Sequence, residues 1–389
     1  MTLAGRKQAP NGRIRLGMVG GGEGAFIGAV HRIASRLDDE YVLVAGALSS
    51  TSEKAMRSGL AIGLDPARTY ADYHEMARKE AQREDGVEVV SIVTPNSEHL
   101  GAALAFIESG VHVICDKPLT TTLQNALNLK AAVQRSGCIF AITYNYTGYP
   151  MVRQAREMVQ TGELGDIRII QAEYPQDWLT ERIEATGQKQ AEWRTDPAQA
   201  GAGGCVGDIG THAYNLADFI VAIPVKELCA ELTTFVEGRR VDDNAQIMLR
   251  YANGARGALW SSQVAPGNEN GLRIRVYGAK GGLEWNQVNP NYLSWSALGQ
   301  PTQIIGRGSS AARAAATRVT RIPPGHPEGY LEGFANIYQE IAHAIRASRT
   351  GVTPDGAVTF PSIDDGVRGV AFIEAAVASS KAGAQWTSL

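Results

Sequence analysis

The chain is 389 residues long, 44% hydrophobic and 20% charged, with a formal net charge of −3. That length exceeds what one hydrophobic core usually serves, so two domains are expected, and the near-neutral balance gives no ground for a nucleic-acid or membrane partner. The opening MTLAGRKQAPNG is polar and lacks the apolar core of a signal peptide, and no later stretch is long and apolar enough to span a bilayer; a cytoplasmic protein is expected. Cys115, Cys138, Cys205 and Cys229 form no CxxC pair and read as free thiols, and the seven histidines show neither HxxxH nor HxH spacing, so no metal site is expected.

From Arg13 onward, short apolar runs alternate with amphipathic segments: RIRLGMVG, a helix around Ala29–Leu37, YVLVAGAL, a helix around Ser52–Gly59, and VEVVSIVTP. The helix LGAALAFIESG, the strand VHVIC, the helix LQNALNLKAAVQRSG and the strand CIFAITYN continue the series. This rhythm predicts βαβ units on a parallel sheet covered on both faces, because the strands are apolar throughout rather than alternating. After about Tyr149 the pattern changes to strands joined by turns: IRIIQAEY, LCAELTTFV, NAQIMLRY, ARGALWSSQV, RIRVYGAKGGLEW and YLSWSAL. Alternation with Asn-Gly and Lys-Gly-Gly turns predicts a mainly antiparallel sheet. Helices are expected at Asp208–Val221, Glu328–Arg346 and Asp365–Lys381, the last folding back onto the first domain, and Arg307–Gly325 reads as a loop. The fold class expected is α/β: a Rossmann domain over 1–148 and an α+β domain with a large open sheet over 149–389.

The strand RIRLGMVG runs directly into GGEGAFIGAVHRIA, which becomes helical. A strand, a glycine loop and a helix N-terminus in that order suit a dinucleotide pyrophosphate, since glycines let backbone N–H groups approach and the helix end is partially positive. Gly20 and Gly22 fill the first two glycine slots, with Gly24, Ala25, Phe26 and Ile27 leading into the helix; the third slot falls on Ala25 or, after an insertion, on Gly28. The second strand ends in Ser49 and Ser50 rather than an acidic residue, with Lys54 and Arg57 a turn later, so NAD is expected and NADP is not excluded.

Three further stretches then acquire meaning together: TPNSEH at Thr94–His99, CDKPL at Cys115–Leu119, and AGGCVGDIGTH ending at His212. With the glycine loop, and in this order over nearly the whole chain, they resemble the Gfo/Idh/MocA oxidoreductases, a family that includes glucose–fructose oxidoreductase and inositol dehydrogenases. The resemblance implies that Thr94, Pro95, Asn96, His99, Asp116 and Lys117 line the cofactor crevice at the carboxyl ends of the strands. It implies that Lys117 reaches the substrate hydroxyl beside the nicotinamide, the family's Glu-Lys-Pro being Asp116-Lys117-Pro118 here with a shorter acid. Asp208 and His212 are four residues apart, so a helix puts them on one face. The resemblance implies that His212 is the general acid/base and that Asp208 orients it or binds a neighbouring hydroxyl. Taken alone, the helix is as compatible with a capping aspartate and a packed histidine.

Where many relatives carry a basic residue after their sixth strand, this chain reads TYNYTGYP, offering Asn145 to the nicotinamide side and Tyr146 or Tyr149 to a sugar ring, or to packing. The loop QKQAEWRTDP offers Lys189, Trp193 and Arg194 to a polar ring, and GHPEGY offers His326 at a helix start. Between Trp285 and Pro327 no acidic residue occurs, whereas Arg307, Arg313, Arg318 and Arg321 do, a set suited to an anionic sugar or simply to a solvated loop.

Three functions fit these residues. The first is reversible oxidation of a secondary hydroxyl on a sugar, glycoside or cyclitol. The second is an NAD-dependent glycoside hydrolase that oxidises C3 transiently and eliminates the aglycone; accumulation of NADH separates the two. A cofactor-binding sensor ranks last, since Lys117, Asp208 and His212 are all present. Family members pack their open sheets together, which implies a homo-oligomer, dimer or tetramer.

Overall fold

The computed structural model describes residues 12–389, so the first eleven residues of the polar opening segment lie outside it. The chain forms two compact units. One gathers the residues up to Thr120 with Gln124–Asn145 and Phe334–Val367; the other gathers Thr121–Leu123, Tyr146–Gly333 and Arg368–Leu389.

In the first unit, β1 (Ile14–Gly20), α1 (Phe26–Leu37), β2 (Tyr41–Ala47), α2 (Ser52–Ala61), α3 (Tyr73–Gln82), β3 (Val89–Val93), α4 (His99–Glu108), β4 (His112–Cys115), α5 (Leu123–Ser136) and β5 (Phe140–Ile142) follow in order. The strands form a parallel sheet of order β2-β1-β3-β4-β5. It has five strands, and TYNYTGYP follows the fifth, not a sixth. β3 is buried at every position, as a strand with both faces covered must be. Because β2 and β3 flank β1 on opposite sides, the chain reverses its direction of winding there, and a crevice opens at the carboxyl ends of β1 and β3.

The second unit opens with α6 (Pro150–Gln160), which the sequence pattern did not mark, and β6 (Ile167–Pro175). Two short helices, α7 (Lys189–Arg194) and α8 (Pro197–Ala200), precede a π-helical turn, Val206–Gly210, that runs into α9 (Thr211–Val221). Then come β7 (Val225–Thr233), β8 (Asn244–Tyr251), β9 (Arg256–Ser262), β10 (Arg273–Gly278), β11 (Gly281–Asn286), β12 (Tyr292–Ala297), β13 (Gln303–Gly306) and the short α10 (Ala314–Thr317). With the C-terminal β14 (Thr387–Ser388) they make a nine-stranded sheet, β13-β12-β11-β10-β6-β9-β8-β7-β14, antiparallel except between β6 and β9. β8 shows its logic: Ala245, Ile247, Leu249 and Tyr251 face the core, and Gln246, Met248 and Arg250 face away.

Two long helices end the chain, α11 (Tyr330–Thr350) and α12 (Ile363–Lys381). The helix that joins the first unit over most of its length is α11; of α12, the helix expected to make that return, only the first turn to Val367 belongs there, with Gly366 close against Leu119 and Ile142. Phe334, Ile337, Tyr338, Ile341 and Ile345 are buried, and the Tyr338 hydroxyl bonds to Ser91 on β3 and His31 on α1. From Arg368 onward α12 belongs to the second unit, where Phe372 stacks on Tyr214 at 4.3 Å. The amphipathic pattern announced both helices but carried no information on which sheet each would cover.

The arginine-rich stretch is likewise more ordered than a solvated loop. Arg307 is 4% exposed and donates to Glu328, Asn291 and the carbonyls of Ile322, Pro323 and His326. A buried guanidinium needs such a set of acceptors, and here they fold the segment around it.

Candidate active site

At the end of β1 the chain turns through Gly20 and Gly21, with φ of +79° and +72°, where only glycine is unstrained. A Cβ on Gly22 would lie 2.5 Å from the Leu48 carbonyl, and one on Gly28 would lie 2.4 Å from Gly21 Cα. Gly28 therefore fills the close-packing slot that the sequence left between it and Ala25. Gly24, also at φ +79°, faces open space, and α1 begins at Phe26 without a side-chain cap at Ala25. Backbone N–H groups at an uncapped helix end beside open glycine backbone make an anion cradle. Arg32 holds the loop from behind through the Gly21 carbonyl at 2.8 Å.

Ser49 and Ser50 follow β2 at the surface, and Arg57 is engaged by Glu23 at 2.7 Å and Glu53 at 3.6 Å. After β3, Thr94 and Pro95 are partly exposed and Asn96 is buried. His99 is fully buried, with Nδ1 2.8 Å from the Pro118 carbonyl and Nε2 3.0 Å from the Thr94 carbonyl. Burial lowers its pKa, against the raising effect of Asp116 and of the carbonyls around the ring. His99 thus ties the two crevice loops together from below and, contrary to expectation, presents no nitrogen to a cofactor. Asp116 Oδ1 accepts from the Lys117 N–H at 3.0 Å and the Thr143 hydroxyl at 2.8 Å, so the short acid orders the backbone that carries Lys117. Among the buried polar atoms of this unit without a hydrogen-bond partner, Thr94 Oγ1 and Asn145 Nδ2 belong to the loops that follow β3 and β5. Orphans of this kind are rare without a ligand to meet them, and together with the glycine cradle they fit a nicotinamide dinucleotide.

In the second unit, Asp208 sits in the π-helical turn and His212 at the start of α9. Such one-turn widenings of a helix recur at functional sites. The glycines before the turn answer to backbone crowding: a Cβ on Gly204 would lie 2.3 Å from the Asp242 carbonyl, and Asp242 accepts from the N–H groups of Gly204 and Val206 at 2.7 and 2.8 Å. Asp208 Oδ2 accepts from Gln263 Nε2 at 2.8 Å and pairs with Arg194 Nε at 3.3 Å. The Arg194 guanidinium lies over Trp193 at 4.1 Å and Trp178 at 6.0 Å. The structure therefore gathers Trp193, Arg194 and Asp208 into one half-buried cluster, to which Trp178 and Gln263 belong although the sequence pointed to neither. His212 is 8% exposed, and Tyr146 meets its ring edge-on at 5.0 Å.

Other expected substrate residues lie elsewhere. Tyr149 is 1% exposed, packed between Tyr146 and Trp285, and cannot face a sugar. His326 is exposed in a turn ahead of α11, which begins four residues later, and is held through its carbonyl by Arg307. Lys189 is exposed at the start of α7, and Arg313 is paired with Glu163. Among the described residues no group of three or more His, Cys, Asp or Glu could hold a metal, and no helix is long and apolar enough to cross a membrane. All four cysteines are buried free thiols.

Residues 14–144 match the oxidoreductase family with an NAD-binding Rossmann fold, and residues 152–284 match the GFO/IDH/MocA C-terminal domain. The chain belongs to the Gfo/Idh/MocA oxidoreductase family. An oxidoreductase from Sinorhizobium meliloti is 55% identical over 96% of this chain and 99% of its own, with a TM-score of 0.88. An inositol dehydrogenase homolog from Azotobacter vinelandii, solved with NAD+, is 36% identical over 100% of both chains with a TM-score of 0.94; its complex with NADH and myo-inositol superposes with a TM-score of 0.91. The levoglucosan dehydrogenase of Pseudarthrobacter phenanthrenivorans is 26% identical over 97% of this chain and 98% of its own. As a Gfo/Idh/MocA member the chain is an NAD-dependent oxidoreductase.

Proposed function

We propose that this protein catalyses reversible oxidation of a secondary ring hydroxyl on a sugar, glycoside or cyclitol. The observation that carries the reading is the placement of Asp208 in a widened helical turn with His212 four residues on, the aspartate oriented by Arg194 and Gln263, in a chain whose other unit has a dinucleotide cradle. The relatives that bind myo-inositol or act on levoglucosan support a polyhydroxylated ring as substrate.

In this reading Gly20, Gly22, Gly24, Ala25, Phe26 and Ile27 receive the pyrophosphate, Ser49 and Ser50 the adenine ribose, and Thr94, Pro95, Asn96 and Asn145 the nicotinamide end. Bound NAD supplies the hydride acceptor. His212 takes the hydroxyl proton, Lys117 donates hydrogen bonds to the reacting oxygen, and Asp208 accepts from a neighbouring hydroxyl. Trp193 offers an apolar face to the ring, and Arg194 holds Asp208 in place. The outward face of the large sheet, with Ile169, Met248, Tyr277, Tyr292 and Ile304 each more than 40% exposed, pairs with a second copy of the chain.

Lys117→Ala and His212→Ala test the roles. Each is expected to lower turnover by about a thousandfold or more while NAD affinity measured by calorimetry stays close to wild type. Near-normal turnover in either variant refutes the assignment.

A further inference from the structure

Tyr146 has a neighbourhood that determines where its proton points. The indole N–H of Trp178 can only donate. It donates to Gln176 Oε1 at 3.1 Å, which turns the amide nitrogen of Gln176 toward Asn270, and that nitrogen donates to Asn270 Oδ1 at 2.8 Å. The same Asn270 oxygen accepts from the Tyr174 hydroxyl at 2.6 Å. Tyr174 has one hydroxyl proton and has committed it, so in the 2.5 Å contact between the two hydroxyls Tyr146 is the donor. Asn270 Nδ2, 3.4 Å from the Tyr146 oxygen, closes a ring of three side chains. Burial raises the pKa of both tyrosines, which keeps the ring protonated.

His212 lies against this ring. Its imidazole meets Tyr146 at 5.0 Å and 81° and Tyr174 at 6.2 Å and 62°. We propose that Tyr174 and Asn270 are positioning residues that hold Tyr146 as the wall against which the His212 imidazole is set for proton transfer. Tyr146 then offers a substrate an acceptor but no proton. Trp178, at the head of the chain and beside Arg194, connects the same constraint to the residues around Asp208. The inference rests on His212 being the acid/base, as read above.

Tyr174→Phe and Asn270→Leu each break the ring with little change of volume. Misplacing an acid/base group is costly, so each is expected to lower kcat about tenfold with KM for NAD and substrate within about twofold. The double variant is expected to be no slower than the slower single one, because members of one closed ring act as a unit. Tyr251→Phe, which alters another buried tyrosine of the same sheet, is expected to keep wild-type kcat. In the resting protein, the His212 ring-proton resonances, displaced by the Tyr146 ring current, are expected to move in Tyr174→Phe toward those of the exposed His326. A kcat for Tyr174→Phe within about twofold of wild type, losses that multiply in the double variant, or an unmoved His212 resonance overturns the proposal. If wild-type protein oxidises no ring alcohol, the functional reading fails, and the resonance experiment still decides whether the ring positions His212.

Discussion

Gly28 on α1 packs against Gly21 with backbone against backbone: a Cβ on Gly28 would meet Gly21 Cα at 2.4 Å and the Gly21 carbonyl oxygen at 2.6 Å. Neither atom can swing aside as a side-chain tip could. Gly28→Ala is therefore expected to destabilise the protein by about 1–3 kcal/mol, the range for overpacking, and to weaken NAD binding because the loop must shift. Thermal denaturation and an NAD titration check both, and unchanged values in both contradict the packing role.

Two buried groups act oppositely on acid stability. Burial lowers the pKa of His31 to about 4, despite a favourable contribution from Asp116. Its folded value lies below the unfolded one, so stability is lost as pH falls from about 6.5 to about 4, by about 3 kcal/mol in all. Burial raises the pKa of Asp242 to about 6 against the pull of its two backbone N–H donors. Its folded value lies above the unfolded one, so stability is gained as pH falls through the same interval. The Asp242→Asn variant is thus expected to lose more stability than wild type between pH 6.5 and pH 4, and His31→Gln less, as urea denaturation at each pH would report. Parallel curves for all three proteins would contradict it.

Arg57, the cation nearest in sequence to the end of β2 apart from Lys54, is tied to Glu23 and Glu53. A 2′-phosphate would have to compete with both carboxylates, so NAD is expected to be preferred to NADP. Surface pairs are weak, and Glu23→Gln is expected to lower KM for NADP only about threefold with KM for NAD unchanged. Steady-state kinetics with both cofactors measures it; an NADP preference in the wild type would contradict the argument.

Arg194 both stacks on Trp193 and pairs with Asp208. Arg194→Ala is expected to raise substrate KM about tenfold with a smaller change in kcat, and Arg194→Lys to recover little, since an ammonium neither stacks nor presents a planar fork. Full recovery by lysine would show that charge alone suffices.

Much of this was legible in the sequence because period and spacing encode it. Apolar strands alternating with amphipathic helices gave the parallel sheet, and the order of the glycine loop, Asp116-Lys117-Pro118 and Asp208 with His212 brought out the family resemblance. What stayed hidden depended on partners distant in sequence. Tyr338 on α11 bonds to Ser91, 247 positions away, so no local pattern could assign α11 to the first unit. Arg307 looked solvated because Glu328, which neutralises it, lies 21 residues on. Tyr174 and Asn270 are lone polar residues in a strand and a turn, and only folding places their side chains 2.6 Å apart.

The most direct test is to mix the protein with NAD and a panel of neutral and anionic sugars, glycosides and inositols, following absorbance of the reduced nicotinamide and release of products by chromatography. Steady accumulation of NADH with a polyhydroxylated ring, abolished in His212→Ala, is the predicted result. Glycoside cleavage that requires NAD yet leaves no net NADH would contradict it and move the protein to redox-assisted hydrolysis.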